Sequence, residues 1–144
     1  MSLLKWSLLP LALLFLSASA SAQTAGAAGV FRAQLIDLHA KTILILERVE
    51  KAGPQGVTRQ STQEEIFALV RLVHRLEEEA GAANLQFIQR GQPSNKTLLL
   101  VQQAAKAVDG MLSSLDSYLE SDDRAFLGFA RDNNALAWSI RKVM

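Results

Sequence analysis

The chain has 144 residues with no cysteine, two histidines and almost balanced charge, 15 Lys and Arg against 14 Asp and Glu. The missing cysteines exclude a disulfide framework, thiolate metal sites, a cysteine nucleophile and covalently attached haem. The balanced charge excludes the concentrated positive field that draws nucleic acid or anionic membranes whatever their sequence.

The N-terminus has the three-part pattern of a cleavable secretory signal. Lys5 is its only cation, Leu8–Leu16 is an apolar run broken by Pro10, and Ala20-Ser21-Ala22 fits a signal peptidase. The run is only about half the roughly 20 apolar residues that a spanning helix needs. A signal peptide over residues 1–22 is therefore expected, with the mature protein periplasmic or secreted and no longer bound to a membrane. Removing 22 of the 144 residues leaves 122, and the loss of Lys5 brings the cations down to 14, equal to the acids. That length suits one domain with one core.

Residues 23–29 are rich in Ala and Gly and read as a flexible lead-in to a single domain over residues 30–144. Phe31, Leu35, Leu38, Thr42, Ile45 and Val49 then recur at steps of four and three, the seam of a first helix. Ile36, Ile43 and Leu46 form a second stripe, so this helix needs two neighbours or leaves a patch that self-associates. Gly53-Pro54 ends it. Ser61 and Glu64 have capping-box spacing and open a second helix through Ile66, Leu69, Val73, Leu76 and Ala80. Ala83 and Phe87 continue that stripe across Gly81, which favours one helix to about Gln89. After Gly91-Gln92-Pro93, Ser94 is the expected cap of a third helix whose seam is Leu98, Val101, Ala105, Val108, Leu112, Leu115 and Leu119. Ser121 is the expected cap of the fourth, with seam Phe126, Phe129, Asn133, Leu136 and Ile140. Four helices with short links predict an all-α, up-down-up-down four-helix bundle.

The residues that could carry chemistry are few. His39 and His74 are the only groups that titrate near neutrality. If the first two helices run antiparallel, His39, His74 and Glu78 have the donor types for zinc or copper. Asp116, Glu120, Asp122 and Asp123 make an acidic corner, but the twelve-residue calcium loop is missing. Asn133 is expected on a core seam, where a buried amide fixes register or lines a ligand pocket. Trp138 lies between Asn134 and Arg141 at helical spacing, the composition of an interface anchor.

The general plan is similar to periplasmic four-helix bundles of the cytochrome c-prime type. Their Cys-x-x-Cys-His haem attachment is absent, so that cofactor does not carry over and no cofactor is expected. No nucleophile elbow, phosphate-binding glycine loop or His-Glu-x-x-His occurs. The expected function is that of an exported interaction protein, not an enzyme, with another protein as its partner. The other reading is a small-ligand or metal carrier using the interior near His39, His74 and Asn133.

Overall fold

The computed structural model describes the backbone of residues 2–144 and the side chains of Gly26 and residues 28–144. The signal peptide expected over residues 1–22 lies outside the described side chains. Four helices make up the chain: α1 Ser2–Gly56, α2 Arg59–Gln89, α3 Lys96–Ser121 and α4 Arg124–Val143. There is no strand among the described residues. Nor is any helix there long and apolar enough to cross a membrane.

Residues 23–29, expected as a lead-in, are part of α1, and Ala28 is already buried. Alanine's high helix propensity carries the turn pattern through this stretch. Leu35, Leu38, Thr42, Ile45 and Val49 are buried as the periodicity predicts. The second stripe is covered too, with Leu46 buried and Ile36 and Ile43 half-buried. The helical path breaks at Gly53, whose φ of 69° and ψ of 172° belong to a region open essentially to glycine alone. No atom lies within 4 Å of where a Cβ would stand. Gly53→Ala therefore tests backbone strain without a clash, and is expected to lower stability by about 1–3 kcal/mol in urea denaturation.

Helix α2 starts two residues before the expected cap. Thr58 is its N-cap, and Ser61 donates to the Thr58 carbonyl instead of pairing with Glu64. Arg59 and Gln60 are good helix formers, so nothing stops the helix from extending back to Thr58. At the other end α2 runs unbroken through Gly81. A Cβ at Gly81 would meet only the movable Gln102 amide of α3, at 2.6 Å, and the helix does not terminate at this glycine.

The caps of α3 and α4 also shift. Asn95, not Ser94, caps α3, its side-chain oxygen accepting from Leu98 N–H at 3.0 Å. Asp123, not Ser121, caps α4 by accepting from Ala125 N–H at 2.9 Å, and Asp122 before it takes the left-handed conformation. Each acts as an N-cap side chain should, satisfying an orphan N–H.

Paired side chains give the register between helices. Along α2 and α3, Gln63 meets Asp116 and Glu120, His74 meets Asp109, Glu77 meets Lys106, and Asn84 accepts from Asn95 N–H. Numbers rise on one helix as they fall on the other, so the pair is antiparallel. Between α1 and α4, Glu50 pairs with Arg131 and His39 with Arg141, again in antiparallel order.

Helix α3 is the centre of the molecule. It packs against all three other helices, while α2 and α4 make no close backbone approach to each other. Leu98, Val101, Ala105, Val108, Leu112, Leu115 and Leu119, the whole predicted seam, are fully buried, as is Met111. Burying each such large side chain stabilises the fold by about 1.5–3 kcal/mol relative to exposure. Helix α4 buries much less: Leu127, Ala130 and Ala137. The predicted seam of α4 is thus displaced by one residue, with Phe129 and Leu136 half-exposed. Small residues face inward because the α3–α4 approach is close. At Gly110 of α3, a Cβ would stand 2.5 Å from Asn133 Oδ1.

Candidate functional site

Between α1 and α4 the backbones stand further apart, and the gap is filled by polar and aromatic side chains. His39 sits on the buried face of α1 between Leu35 and Thr42, with no exposed surface. Its Nδ1 lies 3.0 Å from Arg141 Nη1, and its Nε2 lies 2.7 Å from Asn134 Oδ1. Arginine can only donate. Nδ1 must therefore accept, so Nε2 carries the proton and donates to the Asn134 oxygen. His39 is held as one neutral tautomer.

Trp138 closes the cluster from outside. Its ring centroid is 5.2 Å from that of His39 at a 59° tilt, and the Arg141 guanidinium carbon lies 4.1 Å over the indole. Arg141 thus serves both rings, as a donor to the imidazole and as a cation on the indole face. Trp138 remains 43% exposed, so one side of it is available to a partner.

The electrostatics follow from this geometry. Burial pushes the His39 pKa below its ordinary value of 6.5; the Asn134 hydrogen bond opposes that, and the Arg141 charge adds to it. Burial also lowers the Arg141 pKa, with Arg32 adding a like charge. A neutral imidazole with an arginine on one nitrogen and an amide on the other has no free lone pair. It is built to hold α4 on α1 rather than to take protons or bind a metal.

The expected metal set is not assembled. His39 engages α4, whereas His74 is half-exposed and pairs with Asp109 of α3 at 3.1 Å. Glu78 is exposed beside it, and His74, Glu77, Glu78, Gly81 and Gln102 line an open depression of about 390 Å³. No cluster of three or more His, Asp or Glu side chains placed to hold a metal occurs among the described residues. The reason is rotational, since His39 and His74 occupy faces of their helices turned to different neighbours. The acidic corner is likewise used locally, Gln63 bonding Asp116 and Glu120 while Asp123 caps α4.

Asn133 is half-buried against Gly110 and donates to its own helix at Phe129 O, 2.9 Å away. It shares no partner with His39 or His74, so the three residues of the carrier reading do not form one site. Asn134, Trp138 and Arg141 do come together, and the residue that gathers them is His39. The available signal was a lone histidine on a buried stripe facing a helix with Asn, Trp and Arg at positions three and four apart. Comparison with protein-family models, with curated proteins and with solved structures finds no match to this chain.

Proposed function

We propose that the chain is an exported, up-down-up-down four-helix bundle that binds another protein through its helix faces, as an inhibitor, immunity factor, chaperone or accessory subunit does. The signal-peptide pattern of residues 1–22 supports export. The short links and the antiparallel side-chain ladders support the topology. The observation that carries the binding reading is the Trp138–Arg141 edge. A half-exposed indole is stacked under a guanidinium that is itself fixed by a buried histidine. Trp and Arg dominate binding energy at protein interfaces. Side chains already held in place lose less entropy on association. The same edge offers no nucleophile and no proton acceptor, which supports binding over catalysis.

The test is affinity capture from periplasm or medium, followed by titration of the purified partner. Trp138→Ala is expected to weaken that complex by roughly 30-fold or more, the effect of losing a central interface anchor. A melting curve of the variant separates lost contact from lost folding. A monomer that retains no protein, or a partner indifferent to Trp138→Ala, overturns the proposal.

A further inference from the structure

The wide spacing of α1 and α4 that His39 and Trp138 fill at one end leaves a cavity at the other. The last turn of α1 around Lys51 and Gly53, Tyr118 of α3, and Arg124, Leu127 and Arg131 of α4 surround about 290 Å³. Leu127 and Tyr118 are only 7% and 4% exposed and form its deep side, while the charged residues are exposed at its mouth. Gly53 stands on the wall, with no atom within 4 Å of where a Cβ would be, so that side stays clear.

The charges around this space do not cancel. Lys51, Arg124 and Arg131 face it together with a single carboxylate, that of Glu50. Glu50 accepts from Arg131 Nε at 2.7 Å, which leaves the terminal nitrogens of that guanidinium as further donors. Lys51 and Arg124 are in no ion pair among the described residues. The acids nearest in sequence, Glu47, Asp122 and Asp123, do not line the cavity, and Asp123 is engaged as the α4 cap. The carbonyl ends of α1 and α3 offset part of the positive charge.

Those carbonyl ends do not explain Tyr118. Its hydroxyl donates no hydrogen bond among the described residues, whereas every fully enclosed side-chain nitrogen and oxygen there has a partner. The hydroxyl of this buried residue therefore opens onto the cavity that the residue lines. A buried tyrosine ordinarily finds a partner for its hydroxyl. Here the partner position falls inside a space ringed by cations.

We propose that this cavity binds a small phosphate-type oxyanion, either inorganic phosphate or a phosphomonoester. Lys51, Arg124 and Arg131 supply charge, and Tyr118 supplies a neutral hydrogen bond. Three cations against Glu50 leave an excess of two, which matches the charge of about −1.5 to −2 on a phosphomonoester near neutrality. Donors arriving from three helices suit a tetrahedral anion, whereas one arginine fork would saturate a planar carboxylate. The volume lies at the small end of the roughly 300–1,000 Å³ of ligand sites, which suits phosphate alone or on a short carbon skeleton. The site is at the far end of α4 from Trp138 and does not rest on the partner reading above.

The test is calorimetric titration of the purified chain at constant ionic strength with inorganic phosphate, glycerol 1-phosphate and acetate. Saturable binding of one phosphate per chain, tighter than acetate, is expected. Tighter binding of glycerol 1-phosphate would identify an ester as the preferred form, and the reverse order would identify free phosphate. Tyr118→Phe separates binding from folding, because the hydroxyl has no partner within the chain. Its melting temperature without phosphate should equal the parent's, while its phosphate affinity should fall about five-fold. Arg124→Gln, at an exposed position, should weaken phosphate about ten-fold or more. Trp138→Ala should bind phosphate as the parent does. No saturable binding up to about 10 mM phosphate, equal binding of acetate, or an affinity unmoved by both Tyr118→Phe and Arg124→Gln overturns the proposal.

Discussion

Leu112→Ala is expected to lower the stability of the fold by about 3–5 kcal/mol, the upper part of the range for deleting a buried leucine side chain. Leu112 is fully buried on α3, the helix that packs most extensively on the others. The cost of such a deletion depends on how far the surroundings collapse into the space. Around α3 a shift toward one neighbour opens a gap at another, so little of the cavity closes. A typical domain has only about 5–15 kcal/mol of net stability, so the variant should lose a large share of it. Urea denaturation provides the measurement. Leu99→Ala is the matched control: it lies on the same helix but is 38% exposed. It should cost well under half as much, and equal losses at the two positions would refute the central role of α3.

The second large effect is expected at His39, as a dependence of stability on pH. Its folded pKa lies below the unfolded value of 6.5, so the unfolded chain binds the proton more readily. Stability from this group is complete above about pH 6.5 and is lost as pH falls from there through the lower folded value. Protonation would place a hydrogen on Nδ1, facing the Arg141 guanidinium 3.0 Å away, and would break the only hydrogen bond between them. Denaturation midpoints measured from pH 7.5 down to pH 5 should therefore fall. Arg141→Gln should flatten that slope, because an amide can turn an acceptor to the protonated ring while the guanidinium cannot. His39→Leu should remove the His39 share of the slope and cost about 1–3 kcal/mol at neutral pH, as Asn134 and Arg141 lose their partner. A wild-type slope no steeper than that of His39→Leu would contradict this account.

The helical pattern of this chain was legible because its apolar stripes are long and single on α2 and α3. All seven seam positions of α3 are buried, and the break at Gly53-Pro54 falls where the sequence puts it. Helix α4 was misread because it has two apolar lines. Large residues lie on one, Phe126 to Ile140, and mostly small ones, Ala130 and Ala137 with Leu127, on the other, and size suggests that the larger line is inside. The close approach of α3 and α4 reverses that choice, since alanines fit where phenylalanines do not. Capping was misplaced by one to three residues at three helix starts, because serine, threonine, asparagine and aspartate are all good caps in sequence and differ only in the local turn. The grouping of Asn134, Trp138 and Arg141 was visible from helical spacing. Their common partner was not, because His39 lies 95 residues from Asn134 and nothing local marks the pairing.

That separation shapes how the fold is completed as the chain is made. Synthesis runs from the N-terminus, so His39 is present long before Asn134 and Arg141, which belong to α4. Helices α2 and α3 can zip together through neighbouring residues and a short link, a low-separation event of the kind that folds early. Helix α1 gains part of its cover from α2, where Leu38 lies beside Leu72 and Leu76, and α3 closes the rest of its apolar face. Its histidine stays unlatched until α4 has emerged. Loss of α4 from Arg141 onward would leave that latch held on one side only, through Asn134.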